Sequence, residues 1–220
     1  MGLGGVILAA GESTRMGRDK ALLPWPPDSS QGSAAGPPAR SGTLLSSAID
    51  TFTQFCDMVI VVAGKNEAAL APVVYSRGAS LSCNRNPERG QFSSLQTGLR
   101  EVMNQGRDAA IITLVDRPPA RSETIQKLLD AFATRNHNLW AIVPQFQVKH
   151  GHPFLIGIEM IDLFLKAPAT SNARDIEHAN QSRIEYVQVD DPLVTMNINT
   201  PEDYASLKSN FGVATTKPTR

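Results

Sequence analysis

Short apolar runs alternate along this chain with segments whose apolar residues recur at helical spacing. Mostly apolar, partly β-branched runs at residues 6–10, 58–63, 109–115 and 140–144 are typical of strands buried on both faces of a sheet. Apolar residues three and four positions apart predict amphipathic helices around residues 44–52, 95–102 and 125–132. This alternation predicts an α/β fold with a mostly parallel central sheet, covered by helices on both faces.

The second half of the chain is less regular. We predict a strand over residues 148–156, short helices over 159–165 and 172–180, and further strands over 184–189 and 194–198. A last helix begins after Thr200, which is a suitable N-cap, with Pro201 in the first turn and Glu202 and Asp203 favourably placed against the helix dipole.

No internal repeat or boundary divides the chain, so we predict one domain over residues 1–211. Residues 26–42 are rich in Pro, Gly, Ser and Ala and lack periodicity, which indicates a flexible insertion. It is either a mobile surface loop or a lid beside a ligand site, since long irregular loops in compact domains are often functional. Residues 212–220 are predicted to be a disordered tail.

The loop after the first strand carries the clearest chemistry. Gly11 and Gly17 bracket Ser13 and Arg15, and Lys20 follows three residues later. Glycines let backbone N–H groups approach a phosphate chain, and Arg and Lys supply the opposite charge. The spacing of the glycines and the residue after Lys20 exclude a P-loop, and the other early glycines precede the strand, which excludes a Rossmann fingerprint. The loop therefore predicts a phosphate site of a third kind.

Two further motifs place oxygen ligands at the ends of predicted strands. Asp116 ends the apolar run 109–115, and alternation along a strand puts Asn197 and Asn199 on one face. Mg²⁺ typically takes one or two carboxylates and completes its shell with phosphates and water. Read alone, Asp116 could cap the next helix, although Ser122 is better placed, and the asparagines could form only a turn. Beside the phosphate loop, they predict a magnesium site.

Composition narrows the class of partner. Lys and Arg total 21 and Asp and Glu total 21, so no global basic field suggests nucleic acid, and a small molecule is favoured. Cys56 and Cys83 form no C-x-x-C pair and are interpreted as reduced thiols. No apolar run approaches the roughly 18 residues of a membrane span, and the pattern of a signal peptide is missing. We expect a cytoplasmic protein without a membrane partner.

The motifs resemble those of a known family. Leu-Ala-Ala-Gly-x-Ser-x-Arg-Met-Gly-x-Asp-Lys at 8–20, Asp-x-Pro at 116–118 and Asn-x-Asn-Thr-Pro-Glu-Asp at 197–203 occur in the same order. They look like the motifs of the MobA/MocA-like nucleotidyltransferases, which attach a nucleotide to molybdopterin during maturation of the molybdenum cofactor. The resemblance runs from Gly4 to about Phe211. It implies a Rossmann-like three-layer α/β/α fold of the nucleotide-diphospho-sugar transferase type.

The resemblance also implies site residues. The loop would bind the nucleotide through Leu8, Ala9, Ala10, Gly11, Ser13, Gly17 and Lys20. The catalytic residues would be Arg15, Lys20 and Asp116, and Asp116 would hold Mg²⁺ with help from Asn197 or Asn199.

Other candidates come from local patterns. Gly90, Ser93 and Ser94 precede a helix whose N-terminus either binds part of the nucleotide or is simply capped. His150 and His152 lack a third ligand at zinc spacing, so we expect His152 to shape an acceptor pocket instead. Arg174 either contacts the acceptor or belongs to a solvated helix face.

Subfamily motifs point in two directions. Ala10-Gly11, Gly151-His152-Pro153 and the segment 84–95 resemble the cytidylyl branch. Asn197-Ile198-Asn199 resembles the guanylyl branch, and Arg117 replaces the Gln or Met common after the aspartate. We expect CTP, with GTP as the alternative.

The expected reaction is transfer of CMP from CTP to the phosphate of molybdopterin, with release of pyrophosphate. A phosphate monoester is already mostly dianionic at neutral pH, so no protein general base is required. The alternatives are guanylyl transfer, transfer to a sugar or polyol phosphate, and a non-catalytic protein that delivers the cofactor. The expected partners are a nucleoside triphosphate, a phosphorylated small-molecule acceptor, and a molybdoenzyme or its maturation chaperone.

Overall fold

A central sheet with helices on both faces organises this computed structural model, which describes residues 2–11, 13, 16–26, 42–168 and 170–211, the last four without side chains. The strands are β1 (Leu3–Leu8), β2 (Pro24–Trp25), β3 (Gly42–Thr43), β4 (Met58–Ala63), β5 (Ser80–Cys83), β6 (Ala109–Leu114), β7 (Ala141–Phe146), β8 (Lys149–His150), β9 (Phe154–Gly157) and β10 (Ile184–Gln188). The helices are α1 (Leu44–Thr53), α2 (Glu67–Ser76), α3 (Gln91–Asn104), α4 (Ser122–Thr134), α5 (Ile158–Lys166), α6 (Ala173–Ala179) and α7 (Pro201–Phe211).

The main sheet has the strand order β10-β7-β9-β6-β1-β4-β5, with β8 paired to β7. Strands β6, β1, β4 and β5 are parallel, β10 is parallel to β7, and β9 is antiparallel to both of its neighbours. The prediction of a mostly parallel sheet is confirmed. Because parallel strands share their carboxyl edge, the loops after β1, β4, β5 and β6 converge there.

Helices pack on both faces of the sheet, as predicted. One core layer joins α1, α2 and α4 to the sheet, and the other joins α3 and α5 to the opposite face. Helix α3 approaches β1 closely at Gly98, where an added Cβ would lie 2.6 Å from Val6 Cγ1. This contact holds the middle of α3 close against the middle of β1. The sequence reading missed α2 and β5, which complete the parallel part of the sheet.

The prediction of one strand over residues 148–156 is wrong, because the segment forms two separate strands, β8 and β9. Gly151 packs against the backbone of Val194, where an added Cβ would lie 2.2 Å from the carbonyl oxygen. Its N–H donates to Pro144 O at 2.9 Å, and Pro153 has no N–H to give to a ladder. The chain therefore turns between the two strands.

The predicted strand over residues 194–198 is also wrong. Residues Pro192–Thr195 form a 3-10 turn, and the segment after it is extended but lies outside the sheet. The cause is Asp191, a fully buried carboxylate that accepts hydrogen bonds from Leu193 N–H, Arg121 N–H and Thr124 Oγ1. It starts the turn and also holds the beginning of α4, whose N-cap is Arg121, so Ser122 is not the N-cap of α4 but its first residue.

The last helix begins as predicted. Thr200 Oγ1 accepts from Asp203 N–H at 3.2 Å, and Asp203 Oδ2 accepts from the N–H groups of Asn199 and Thr200 at 2.8 and 2.9 Å. These backbone hydrogen bonds hold the pKa of Asp203 below its usual value. Tyr204 and Leu207 pack in a third apolar cluster with Met16, Leu23, Trp25, Leu44 and Ile198.

The ends of the predicted insertion are held together. Strands β2 and β3 pair antiparallel, so that Pro24 lies opposite Thr43. Residues 27–41 themselves lie outside the described residues, as does the predicted tail over 212–220, and the single domain over 1–211 stays a prediction. Cys56 and Cys83 are free. Among the described helices, none combines the length and apolarity needed to cross a membrane.

Candidate active site

Two adjoining clefts open at the carboxyl edge of the sheet. The smaller, of about 200 Å³, contains predicted nucleotide-site residues along its wall: Leu8, Ala10, Gly11, Ser13, Lys20, Gly90, Ser94 and Asp116. The larger, of about 1070 Å³, is lined by His152, Arg174 and Asn197 among others. Leu8, Gly90, Gln91 and Leu114 line both clefts, so the two spaces meet.

The glycine loop leaves β1 and folds back on itself. Ser13 has a left-handed backbone with φ of 50°, and its carbonyl accepts from Met16 N–H at 2.9 Å. Its Oγ accepts from Lys20 N–H at 3.1 Å, and Gly17 supplies the second left-handed turn with φ of 66°. Gly11 and Ser13 line the smaller cleft, whereas Ala9 is buried in the core. The loop thus directs Lys20 back towards the sheet.

Lys20 links the three sequence motifs. It is 8% exposed, and its Nζ donates to Asn199 Oδ1 at 3.1 Å and lies 3.7 Å from Asp116 Oδ2. A buried ammonium needs such oxygen partners because burial in apolar surroundings penalises its charge. Arg15, the other predicted cation of the loop, lies outside the described residues, and its role stays a prediction.

Sequence reasoning missed two residues that brace this loop. Asp19 Oδ1 accepts from Ala21 N–H at 2.9 Å, and Asp19 Oδ2 accepts from Asn66 Nδ2 at 2.6 Å. Asn66 Nδ2 also donates to Ala9 O at 2.9 Å. Asp19 belongs to the motif at residues 8–20. Asn66 follows β4 at the carboxyl edge of the sheet, and this position could have identified Asn66 from the sequence.

Asp116 provides the position best suited to a divalent metal. It follows β6, and its Oδ1 is buried without a hydrogen-bond partner among the described residues. An orphaned carboxylate oxygen beside a phosphate loop fits Mg²⁺, which needs few protein ligands when phosphates complete its shell. The described residues contain no cluster of three or more His, Cys, Asp or Glu side chains that could form an all-protein metal site.

The two asparagines differ in position. Asn199 Oδ1 accepts from Lys20, while Asn197 is exposed and lines the larger cleft. Buried Ile198 lies between them, and its N–H donates to Asp116 O at 2.8 Å. That hydrogen bond joins the Asp116 segment to the asparagine segment, and of the predicted metal ligands only Asp116 has an unpartnered buried oxygen.

The start of α3 faces both clefts. Gly90 has φ of 94° and provides no side-chain cap, and Ser93 N–H donates to Gly90 O at 3.2 Å, so the N–H groups of Gln91 and Phe92 are the ones without a capping side chain. The hydroxyls of Ser93 and Ser94 are instead held by buried Asn84, whose Nδ2 donates to them at 2.8 and 2.9 Å. Ser94 is therefore positioned by a polar network below the cleft floor.

The larger cleft is mainly cationic. Its lining includes Arg89, Arg117, Lys149 and Arg174, against a single carboxylate, Glu177. Such a surface suits an anionic ligand of considerable size. Burial lowers the pKa of Arg117, although Asp116 opposes that shift.

The two histidines of the larger cleft have different surroundings. Burial lowers the pKa of His152 to about 3, with Arg117 adding to the effect and a hydrogen bond to the Ile112 backbone opposing it. His152 is thus neutral at physiological pH and packs edge-on against Phe154. His150 is exposed, and its ring stacks on Tyr186 with centroids 3.8 Å apart. His152 lines the larger cleft, and its expected role in shaping an acceptor pocket stays a prediction.

The surroundings of Glu177 disfavour its charged form. Burial raises its pKa to about 7, and Arg174 lowers it by less. Because the folded pKa lies above the unfolded value of 4.5, folding favours the protonated form. The carboxylate form therefore lowers stability progressively as pH rises through the interval from 4.5 to about 7.

We expect Glu177→Gln to be more stable than the parent protein at about pH 8, by about 2 kcal/mol, and to lose this advantage at about pH 4.5. This value is smaller than the full linkage because the side chain keeps some contact with water. Urea unfolding of both proteins at the two pH values measures the difference. An equal gap at both pH values would contradict the prediction.

Relatives of known name match much of this chain. It is 24% identical over 212 residues to the molybdenum cofactor cytidylyltransferase of Escherichia coli K12, over 94% of this chain and 95% of that protein. It is 36% identical over 131 residues to a probable molybdenum cofactor guanylyltransferase of Mycobacterium avium, over 59% of this chain and 57% of that protein.

Solved structures share the fold. Rv0371c from Mycobacterium tuberculosis H37Rv superposes with a TM-score of 0.76 at 23% identity, over 94% of this chain and 97% of that one. Molybdopterin-guanine dinucleotide biosynthesis protein A from Archaeoglobus fulgidus gives a TM-score of 0.65 at 15% identity, over 95% and 98%. The expected nucleotide-diphospho-sugar transferase type of fold is confirmed.

The family model of the MobA-like NTP transferase domain matches residues 5–184, which contain the glycine loop, Asp116 and most of the larger cleft. This match spans well over half of the chain. The chain therefore belongs to the MobA-like NTP transferase domain family, and it is a nucleotidyltransferase.

Proposed function

We propose that this protein catalyses Mg²⁺-dependent transfer of CMP from CTP to the phosphate of molybdopterin. The observation that carries the proposal is the buried Lys20 cluster, in which one ammonium contacts both Asp116 and Asn199. It stands on the wall of a small cleft that opens into a large cationic one. This arrangement suits a reaction between two phosphorylated molecules.

The smaller cleft binds the nucleotide in this proposal. The amides of Gly11 and Ser13 and the ammonium of Lys20 hold the triphosphate, with Arg15 as a further expected cation. The larger cleft binds the acceptor, whose phosphate faces the junction near Arg117. Four cationic side chains in that cleft support an anionic acceptor.

The acceptor phosphate supplies its own nucleophile. One of its oxygens attacks the α-phosphorus of the nucleotide, a new P–O bond forms, and the bond to the β-phosphate breaks so that pyrophosphate leaves. Mg²⁺ held on Asp116 Oδ1 would neutralise phosphate charge at this point. The protein's task is in-line positioning and charge stabilisation, for which no general base is needed. A neutral His152 is consistent with a reaction in which the acceptor phosphate, and not a protein side chain, supplies the nucleophile.

The acceptor and metal assignments take support from relatives. The named relatives are molybdenum cofactor nucleotidyltransferases, and Rv0371C has been solved as a complex with manganese, at 19% identity and a TM-score of 0.70. The manganese complex supports a divalent cation in this fold. A molybdoenzyme or its maturation chaperone as the recipient of the product stays a prediction.

We propose CTP rather than GTP because the similarity to the cytidylyltransferase extends over more of the chain. The cytidylyltransferase matches almost the whole chain, whereas the guanylyltransferase matches a little over half of it at higher identity. Ala10, one of the residues that carry the cytidylyl resemblance, lines the smaller cleft. Guanylyl transfer is the second candidate, favoured by the Asn197-Ile198-Asn199 motif.

Pyrophosphate release tests the proposal. The purified protein is mixed with molybdopterin and either CTP or GTP, with Mg²⁺ or with a chelator. We expect release with CTP at least about 10-fold faster than with GTP, a difference that corresponds to about 1.4 kcal/mol. The chelator should abolish it and added Mg²⁺ should restore it.

Control acceptors separate the rival functions. Release with GTP alone would establish guanylyl transfer, and release with sugar or polyol phosphates but not with molybdopterin would overturn the acceptor. Binding of nucleotide and cofactor without any pyrophosphate release would indicate a delivery protein.

A further inference from the structure

The stacked pair of His150 and Tyr186 is a feature of the larger cleft that phosphate transfer does not require. The two rings are 3.8 Å apart between centroids and inclined by only 13°. They come from β8 and β10, which lie on opposite edges of β7, with His150 opposite Gln145 and Tyr186 opposite Val143. Three strands thus combine to hold one aromatic platform on the wall of the cleft.

The platform has an open side. His150 is exposed, and one face of its ring is covered by Tyr186, which is half-buried. A planar ligand that extends the stack on His150 would add a further aromatic contact, and such base stacking contributes about 1–3 kcal/mol in other proteins. Tyr186 then acts as the support that keeps the His150 ring in place.

Glu177 is the carboxylate among the described residues that line the same cleft. Among the described side chains it has no salt-bridge or hydrogen-bond partner. Burial that raises the pKa of an unpaired carboxyl is a cost to the free protein, and such costs often mark a binding site. A carboxylate in this position accepts a pair of parallel N–H donors from a ligand.

We infer that His150, Tyr186 and Glu177 form a subsite for a 2-aminopyrimidin-4-one ring, namely the pterin of the acceptor. The ring stacks on His150, and its ring N–H and 2-amino group donate to Glu177. The inference rests on the proposed function for the identity of the acceptor. It extends that function by assigning which residues bind the non-reacting end of the molecule.

Guanine has the same ring N–H and 2-amino donors as a pterin, so either the acceptor's pterin or a guanine base could supply the ring that binds here. The platform lines the larger cleft, whereas the phosphate loop lines the smaller one. A base belonging to the nucleotide on that loop would have to extend across the junction, into the cleft that the proposed function assigns to the acceptor. The subsite is therefore assigned to the pterin.

Fluorescence quenching of 6-carboxypterin by the full chain tests the subsite directly. We expect saturable binding that weakens about 10-fold in His150→Ala and about 10-fold in Glu177→Gln, the loss of one stacked ring or one charged hydrogen-bond pair. His150→Phe should bind like the parent protein because it keeps a stacking face. The exposed His137→Ala is the matched control and should bind unchanged.

Affinity for CTP, measured by calorimetry on the same variants, should not change. Unchanged pterin binding in His150→Ala, or absent binding by the parent protein, would overturn the subsite. Displacement of bound 6-carboxypterin by GMP at a concentration below that of the 6-carboxypterin itself would assign the subsite to a nucleotide base instead. Pterin binding without CMP transfer to molybdopterin would contradict the proposed function alone, and transfer without pterin binding would contradict the subsite alone.

Discussion

Asp116→Asn is expected to lower the turnover of nucleotidyl transfer at least about 100-fold, which corresponds to about 2.7 kcal/mol of lost transition-state stabilisation. The substitution keeps the shape of the side chain and removes its negative charge. In the structure that charge contacts Lys20 through Oδ2 and leaves Oδ1 buried and free for a cation. The loss should therefore appear mainly in turnover and in the concentration of Mg²⁺ required.

Initial rates of pyrophosphate release at several Mg²⁺ concentrations measure the effect. Asp190→Asn is a matched control, because Asp190 is exposed and lines neither cleft. Circular dichroism should show that both variants keep their fold. Near-normal turnover of Asp116→Asn would remove Asp116 from the reaction.

Lys20→Ala is expected to cause a loss of similar size, at least about 100-fold in turnover, together with weaker binding of CTP. The ammonium is the one described group that contacts both Asp116 and Asn199. Its removal leaves Asn199 Oδ1 without its donor and takes away positive charge from the proposed triphosphate site. Both the ground state and the transition state should lose stabilisation.

Steady-state kinetics with varied CTP separate the two effects. Lys127→Ala, on the exposed face of α4, is the matched control and should behave like the parent protein. The double variant Lys20→Ala with Asp116→Asn should lose less than the product of the single losses, because the two groups interact. A strictly multiplicative loss would contradict their coupling.

Local pattern predicted the sheet well because its strands carry continuous apolar runs. Helix α2 was not predicted because Pro72 lies inside it and only Leu70 and Val74 are buried, so that its apolar stripe is weak. The segments 148–156 and 194–198 were wrong for a different reason. Their conformation depends on the contact of Gly151 with Val194 and on buried Asp191, which are tertiary interactions that no short window of sequence reveals.

The sequence could predict which residues belong to the candidate site, but not which of them contact one another. Residues of the first two motifs line the smaller cleft and Asn197 of the third lines the larger one, since polar side chains at the carboxyl ends of parallel strands converge; their roles stay predictions. The motifs could not show that Lys20 contacts Asn199, or that Asn66 braces the loop, because these pairs are far apart in the chain. The platform of His150 and Tyr186 needs the pairing of three strands and was invisible for the same reason.

The hydrogen bond between Lys20 and Asn199 spans 179 positions of the chain. During synthesis the ribosome produces the lysine early and the asparagine long afterwards, so the glycine loop emerges before its partner exists. Contacts of such separation also close slowly in refolding, since loop-closure entropy must be overcome first. We therefore expect the proposed catalytic centre to form late in folding, and a chain that ends before Asn199 would contain the glycine loop but lack the contact that positions Lys20.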